Sequence, residues 1–201
     1  MRGPRGRSPR SVTELDVVRT ALAQTAELHQ RMSADQAGAV VDAARAMRTA
    51  LQAGSKVLVF GNGGSATDAQ HFATELVGRF ARERKGMPVI ALTADSAILT
   101  AVANDYGFER VFARQVEALG TAGDVAFGIT TSGTSANVNQ GLQQARAAGL
   151  VTVGLTGRDG GETRALVDVH VNVPGVTSWQ VQEVHRTVLH VMCELIERGH
   201  A

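Results

Sequence analysis

The chain has 201 residues, 44% of them hydrophobic and 19% charged, which fits one folded domain with an added helical segment and excludes a disordered protein. Its formal net charge is only +1 and its aromatic content 4%, so the basic, aromatic-rich face of a nucleic-acid-binding protein is not expected. No apolar run reaches the roughly 18 to 20 residues of a membrane span, and membrane contact is not expected either.

The first ten residues, MRGPRGRSPR, differ from the rest of the chain. They hold four arginines and no acid, whereas the remainder carries 16 basic and 19 acidic residues. Their Pro, Gly and Ser content predicts a disordered tail over residues 1–11, followed by a single domain over 12–201. The single cysteine, Cys193, excludes an internal disulfide and fits a reducing compartment, so we expect a cytoplasmic protein.

Two helices are predicted before any strand. Apolar residues recur at helical spacing from Val12 to about Met32, and again from Ala34 to about Ala53, where Gly54 closes the pattern. Such a pair must bury its apolar stripe against the later domain or against another copy of the chain. We therefore expect an oligomer.

After Gly54 the pattern changes to short apolar runs that alternate with helical segments. Runs that are apolar at nearly every position are typical of parallel strands buried on both faces. The predicted strands are 56–61, 87–93, 124–130, 151–157 and 169–174, and the predicted helices are 65–83, 96–107, 109–120, 135–149 and 178–199. This alternation predicts an α/β fold, a doubly wound five-stranded parallel sheet of flavodoxin-like or Rossmann-like type.

The first candidate loop is GNGGS, which follows the first strand. Its glycines allow a sharp turn, and the free amides of a helix start, with Ser65 as the predicted N-cap, favour an anion. Gly61, Gly63 and Gly64 are followed by Ala66 where a dinucleotide fingerprint needs its third glycine. A nucleotide cofactor is therefore not expected.

The second candidate loop is TTSGTSAN, residues 130–137. Its five hydroxyl residues are Thr130, Thr131, Ser132, Thr134 and Ser135. Hydroxyls and helix-start amides can surround a phosphate without a Lys or Arg, and no P-loop sequence is present. The segment predicts a phosphate site; the alternative is a capped loop rich in small residues.

Ionisable residues form the third group. His71 and Glu75 are four residues apart and share one helix face. The last helix offers Gln182, Glu183, His185 and His190, whose spacing is less decisive. A His and Glu set can bind zinc or transfer protons, although each residue alone is more often an ordinary helix residue.

Five segments taken together resemble a known family. GNGGSATDAQHFATEL, TAVANDYGFERVFARQVEALG, TTSGTSANV, GLTGRDGG and VQEVHRTVLHVMCELIE are similar, in this order, to the bacterial phosphoheptose isomerases of the sugar-isomerase (SIS) domain superfamily. The resemblance runs from about residue 12 to 198. It implies a flavodoxin-like SIS fold and a homotetramer that converts sedoheptulose 7-phosphate to D-glycero-D-manno-heptose 7-phosphate, the first step toward nucleotide-activated heptose.

The resemblance also implies roles for individual residues. The sugar would be held by Asn62, Gly63, Gly64 and Ser65, and the phosphate by Thr130, Thr131, Ser132 and Ser135. Asn104 and Asp105 match a further substrate loop. Glu75 matches the base and His190 its acid/base partner. Zinc, one ion per subunit, would be held by His71, Glu75, Gln182 and His190, with Glu75 and Gln182 also facing substrate.

This chain departs from the family pattern at two positions: Thr130 replaces a Ser and keeps the hydroxyl, whereas Thr134 replaces an Asn and loses an amide. Two other functions remain open. SIS proteins include an adaptor that binds a replication initiator but lacks the Glu and the second His, so Glu75 and His190 favour the enzyme. A sugar-phosphate-sensing regulator would carry a DNA-binding domain, which this sequence does not show.

Overall fold

A parallel five-stranded sheet forms the centre of the molecule. The computed structural model describes residues 12–199, so the predicted tail, 1–11, lies outside the described residues. The strands are β1 (Val57–Gly61), β2 (Val89–Ala91), β3 (Val125–Thr130), β4 (Val151–Gly157) and β5 (Val169–Val173). All neighbours pair in parallel in the order β2-β1-β3-β4-β5. The predicted α/β class is confirmed, with the flavodoxin-like strand order.

Helices cover both faces of the sheet. They are α1 (Glu14–Asp35), α2 (Ala37–Gln52), α3 (Gly64–Val77), α4 (Ser96–Tyr106), α5 (Val111–Leu119), α6 (Ala136–Ala147) and α7 (Ser178–Arg198). Short 3-10 turns occupy Phe108–Arg110 and Glu162–Ala165. Within residues 12–199, no helix combines the length and apolar character that crossing a membrane requires.

Alternation along β1 divides the core into two layers. Val57 and Val59 join the cluster on the side of α2, α3 and α7, whereas Leu58 and Phe60 join the cluster on the side of α5 and α6. Successive side chains of a strand point to opposite faces, so a strand covered on both sides needs apolar residues throughout. This requirement explains why the strands were predictable as continuous apolar runs.

The two predicted N-terminal helices are present, and Gln36 alone separates α1 from α2. Thr13 caps α1: its hydroxyl accepts from the Asp16 amide at 3.1 Å, and the Asp16 carboxylate accepts from the Thr13 amide at 3.0 Å. Such a capping box satisfies amides that have no partner inside the helix. Gly54, with φ of 84°, follows the end of α2, as predicted.

The predicted length of α3 was wrong. The sequence pattern extends the helix to residue 83, but α3 ends at Val77. The Arg84 guanidinium donates to the carbonyls of Glu75 and Leu76, and the Glu197 carboxylate accepts from the amide of Ala81. Arg84 and Glu197 thus satisfy the backbone carbonyls and amide that another turn of helix would have paired with one another.

Candidate active site

The predicted loops meet at the carboxyl edge of the sheet, beside β1 and β3. The β1–α3 turn and the β3–α6 loop leave neighbouring strands there, and α7 begins near the second loop. In a sheet of this order the chain leaves β1 and β3 in opposite directions, which opens a crevice for ligands.

Glycine shapes the β1–α3 turn. Gly63 occupies the N-cap position with φ of 55° and ψ of −120°, a conformation that disfavours side chains with a Cβ. The prediction that Ser65 is the N-cap was wrong: Ser65 is buried inside the first turn, where its amide donates to the Asn62 carbonyl at 2.9 Å. A Cβ at Gly61 would lie 2.7 Å from the Ile129 carbonyl oxygen, so β1 and β3 can approach only because this residue is glycine.

An amide pair joins the two loops. The side-chain Nδ2 of Asn62 donates to the Oδ1 of Asn137 at 2.7 Å, and the Nδ2 of Asn137 donates back to the Oδ1 of Asn62 at 2.9 Å. Asn137 is buried in the first turn of α6. The pair ties the proposed sugar-contacting turn to the proposed phosphate loop.

Four hydroxyls of this loop, those of Thr130, Ser132, Thr134 and Ser135, point toward one another. Thr130 Oγ1 lies 3.0 Å from Ser135 Oγ and accepts from the Gly133 amide at 3.3 Å. Ser132 Oγ accepts from the Thr134 amide at 3.2 Å. Ser135 is the N-cap residue of α6 but makes no side-chain cap bond, so its hydroxyl is directed into the loop instead. This arrangement suits an anion at a helix start.

Two segments outside this loop fix its position. Gly133 has φ of 70°, and a Cβ there would overlap the Gly160 carbonyl. The amide and hydroxyl of Thr163 both donate to the Gly133 carbonyl at 3.0 Å. At the other end, the Thr131 hydroxyl donates to Ser178 Oγ, on the first residue of α7, at 3.3 Å. The segment that follows β4 and the start of α7 therefore hold the loop in place.

Three ionisable side chains of α3 and α7 converge. His71 Nε2 lies 2.8 Å from His190 Nε2 and 3.3 Å from Glu75 Oε1. Burial lowers the pKa of His71, and the positive charge of Arg186 lowers it further, against the opposite effect of Glu75. The His71 imidazole therefore favours the neutral form, which is the form that binds metals and accepts protons.

The cluster fits a divalent cation. One ligand atom from each of His71, Glu75 and His190 lies within 4.8 Å of the others. Two imidazoles and a carboxylate are a usual zinc donor set. Gln182 lies beside the glycine turn. Its side-chain amide is so close that a Cβ added at Gly64 would overlap it.

Asp68 and Arg186 form an ion pair next to this cluster. Neither residue was predicted from the sequence as part of the site. Asp68 is buried one helical turn before His71, and Arg186 lies one turn before His190. Burial raises the pKa of Asp68, whereas Arg186 lowers it. Their spacing from the two histidines was the only signal in the sequence.

Other predicted residues are not part of the cluster. Asn104 and Asp105 are exposed at the end of α4, where the Asn104 amide donates to the Asp105 carboxylate at 2.8 Å. Within residues 12–199, no hydrogen bond joins them to the histidines. Glu183 is exposed, and His185 is buried with Nε2 3.0 Å from the Thr156 carbonyl. Of the histidine and glutamate candidates on α7, all within the described residues, His190 joins His71 and Glu75.

Two residues at the loop surface were not predicted from the sequence. Arg158 and Asp159 line an open cavity of about 690 Å³ together with Ser132 and Thr134. Arg158 has φ of 57°, the left-handed region, and its carbonyl accepts from the Asn172 amide at 3.0 Å. Both residues lie in the segment GLTGRDGG, which carries part of the family resemblance.

Comparison with known proteins agrees with the fold. The SIS domain family matches residues 22–157. The sheet order, the hydroxyl loop and this match define a SIS-domain protein.

Curated relatives and solved structures support this assignment. The chain is 47% identical to a phosphoheptose isomerase of Geobacter sulfurreducens, over 92% of this chain and 97% of the relative. It is 51% identical to a phosphoheptose isomerase of Aquifex aeolicus, over 91% of this chain and 96% of that relative. The structure of a phosphoheptose isomerase from Neisseria gonorrhoeae matches with a TM-score of 0.88 at 41% identity, covering 92% of this chain and 100% of that one. The structure of a phosphoheptose isomerase from Francisella tularensis matches with a TM-score of 0.90 at 37% identity, covering 92% of this chain and 99% of that one. The chain belongs to the phosphoheptose isomerase family.

Proposed function

We propose that this chain is a phosphoheptose isomerase that converts sedoheptulose 7-phosphate to D-glycero-D-manno-heptose 7-phosphate, the first step of nucleotide-activated heptose biosynthesis. The convergence of His71, Glu75 and His190 carries the proposal, because a carboxylate and two imidazoles close to one another can move the protons of an isomerisation. The names of relatives that match nearly the whole chain support it. The reaction is an aldose–ketose isomerisation, and residues 12–201 form one SIS domain.

The proposed chemistry is a proton transfer between adjacent carbons. The Glu75 carboxylate removes a proton from the hydroxymethyl carbon next to the ketone, giving an enediol, and returns it to the former carbonyl carbon. His190 moves the hydroxyl proton from one oxygen to the other, so that an aldehyde replaces the ketone and no proton is lost overall. The His71 imidazole, 2.8 Å from His190, orients that ring.

Substrate binding is proposed at both loops. Thr130, Thr131, Ser132 and Ser135 bind the phosphate, whereas Asn62, Gly63, Gly64, Ser65 and Gln182 contact the sugar. Asn104 and Asp105 bind sugar hydroxyls. Binding energy at the phosphate, remote from the reacting carbons, positions those carbons against Glu75.

One zinc ion per subunit is proposed at His71, Glu75, Gln182 and His190. When bound, it would polarise the oxygens of the reacting carbons. A carboxylate has two oxygens, so Glu75 can bind a cation with one and face the substrate with the other. We further propose a cytoplasmic homotetramer, which fits the apolar residues exposed on α1, among them Leu15 and Leu22.

The isomerase assay tests this proposal. Purified protein is expected to turn over sedoheptulose 7-phosphate, and Glu75→Gln and His190→Gln are each expected to abolish turnover while the protein stays folded by circular dichroism. Glu183→Gln, an exposed residue of the same helix, serves as the control and is expected to keep full activity. Full activity of either site variant would refute its assigned role. An inactive wild type that captures a replication initiator would favour the adaptor.

Metal removal tests the zinc proposal separately. Protein purified without a histidine tag is expected to contain about one zinc per chain by elemental analysis. Chelation is expected to reduce turnover, and added zinc to restore it. Substoichiometric metal together with undiminished turnover after chelation would reject an essential ion.

A further inference from the structure

Arg84 and Glu197 form a buried ion pair at the far end of the α3–α7 contact, outside the proposed site. Arg84 Nε lies 3.0 Å from Glu197 Oε1, and the two side chains are only 9% and 1% exposed. Removing two charges from water is costly unless further hydrogen bonds satisfy them. Both side chains have such bonds.

Glu197 holds the segment that follows α3. Its carboxylate accepts from the amides of Phe80 at 3.2 Å, Ala81 at 2.9 Å and Arg82 at 2.9 Å. Burial alone would raise the pKa of Glu197, but these amides and Arg84 lower it below its usual value. The carboxylate is therefore ionised and fixes the backbone of three consecutive residues.

Arg84 holds the end of α3 itself. Its guanidinium donates to the carbonyls of Glu75 at 3.0 Å, Leu76 at 2.8 Å and Gly78 at 3.1 Å. The last carbonyls of a helix have no partner inside the helix, so Arg84 acts as its C-terminal cap. One of the bonded carbonyls belongs to the proposed catalytic base.

The same pair also reaches His190 through Phe80. The Phe80 ring packs against the His190 ring, with centroids 5.8 Å apart and planes inclined by 35°. Glu197 fixes the Phe80 backbone and lies on α7 with His190. The ion pair thus contacts both sides of the cluster: the Glu75 backbone on α3 and the residue that covers His190.

We propose that Arg84 and Glu197 are a positioning pair that fixes the separation of Glu75 and His190, and thereby sets the cation affinity and the proton-transfer geometry of the cluster. The inference rests on the proposed function for the identity of the site. Neither residue belongs to the proposed substrate-binding loops. The competing explanation is that the pair stabilises the fold without affecting the site.

A matched pair of variants separates these explanations. Asp124 is also buried and also accepts from two amides, those of Lys56 and Thr121, and from a cation, the Lys56 ammonium at 2.6 Å. It lies at the amino end of β3, away from the site. Glu197→Gln and Asp124→Asn each replace the carboxylate by an amide of the same shape, and both are expected to lower thermal stability.

Zinc affinity is the discriminating measurement. It is measured at 25 °C by competition with a chromophoric chelator, on protein shown to be folded. Glu197→Gln is expected to weaken zinc binding by about 10-fold to 100-fold, the usual effect of losing a partner that orients metal ligands. Asp124→Asn is expected to leave it unchanged. Equal affinities in the two variants would overturn the proposal.

Arg84→Lys separates charge from geometry. Lysine keeps the positive charge for Glu197 but cannot reproduce the planar fork that binds several carbonyls at once. We expect a lower kcat with KM within about twofold of wild type, because the phosphate and sugar contacts remain. An unchanged kcat would show that the carbonyls of α3 need no such cap.

Wild-type protein gives a test that does not depend on any variant folding. Coupling is reciprocal, so zinc binding must in turn stabilise the positioning pair. Zinc is expected to slow hydrogen exchange of the amides of Phe80, Ala81 and Arg82, and to leave those of Lys56 and Thr121 unchanged. Identical exchange with and without zinc would contradict the inference.

The outcomes also separate this inference from the proposed function. If the wild type binds zinc, Glu197→Gln weakens it, and heptose phosphates are not turned over, the function fails and the positioning pair stands. If the wild type is an active isomerase and Glu197→Gln matches it in zinc affinity and kcat, the function stands and the inference fails.

Discussion

The two histidines of α7 have opposite environments. His185 is fully buried, and burial lowers its pKa to about 4 despite the bond to the Thr156 carbonyl. Among residues 12–199, its Nδ1 has no hydrogen-bond partner. His190 is half-buried and faces His71. Five residues place the two rings about 140° apart around the helix axis. The sequence does not say which direction faces α3, and packing against β4 decides which ring is enclosed.

His185 should make stability depend on pH. Its ordinary pKa is 6.5, so between pH 6.5 and 4 the unfolded chain binds a proton that the folded chain does not. The free energy of unfolding therefore falls as the pH drops through this range, by on the order of 3 kcal/mol from this residue. Urea unfolding from pH 4 to 8 checks this. His185→Gln should show a shallower dependence, and parallel curves for the two proteins would contradict the assignment.

Replacing Gly64 by alanine is expected to reduce turnover, whereas replacing Gly38 by alanine is not. Gly64→Ala places a Cβ against the Gln182 amide, so Gln182 must move away from the glycine turn. We expect turnover to fall at least about 10-fold, as remote misplacement of site groups commonly does. Gly38→Ala, in α2 with no atom within 4 Å of the added Cβ, is the control. It should keep activity and raise stability by up to about 1 kcal/mol.

At the scale of elements, strands were easier to predict than helix ends. Each predicted strand overlaps an observed one, because a strand covered on both faces must be apolar throughout, and that requirement is local. The end of α3 depends instead on Arg84 and Glu197, the latter more than a hundred residues away in sequence. The loops could be predicted as site segments, but the Asn62–Asn137 pair and the absence of His185 from the cluster depend on tertiary packing.

The role of the Asn62–Asn137 pair can be tested by substituting Asn137, which lies on α6. Asn137→Ala leaves the Asn62 side chain without its partner and frees the glycine turn from the hydroxyl loop. We expect KM for the sugar phosphate to rise by about 10-fold or more, with a smaller effect on kcat, because binding is affected more than proton transfer. Steady-state kinetics measure both. Gln143→Ala, exposed on the same helix, should behave as wild type; equal KM values for the two variants would exclude a binding role for the pair.

At the scale of the whole molecule, α1 is only partly covered. Leu28 and Met32 are buried in its last third, whereas Leu15, Val18 and Leu22 are 55%, 55% and 69% exposed. The sequence indicated that this stripe must be buried but could not say where. Within one chain most of it stays exposed, which supports a second copy as its partner.

Leu22→Glu is therefore expected to weaken the proposed assembly. A charge in an apolar contact between copies loses water without gaining a partner. Sedimentation should show the wild type near four times the 21.1 kDa chain mass, and the variant at a lower mass. Gln30→Glu adds the same charge at another exposed position of α1 and should remain assembled. A monomeric wild type would refute the assembly.

Helix α7 joins the parts of the molecule that the proposed reaction needs. Along it lie Ser178, Gln182, His185, His190 and Glu197, which contact respectively the hydroxyl loop, the glycine turn, β4, His71 and the segment after α3. One inserted residue would rotate everything beyond it by about 100° and advance it by about 1.5 Å. Insertions and deletions within α7 should therefore be rare among related chains, and differences in length should fall elsewhere.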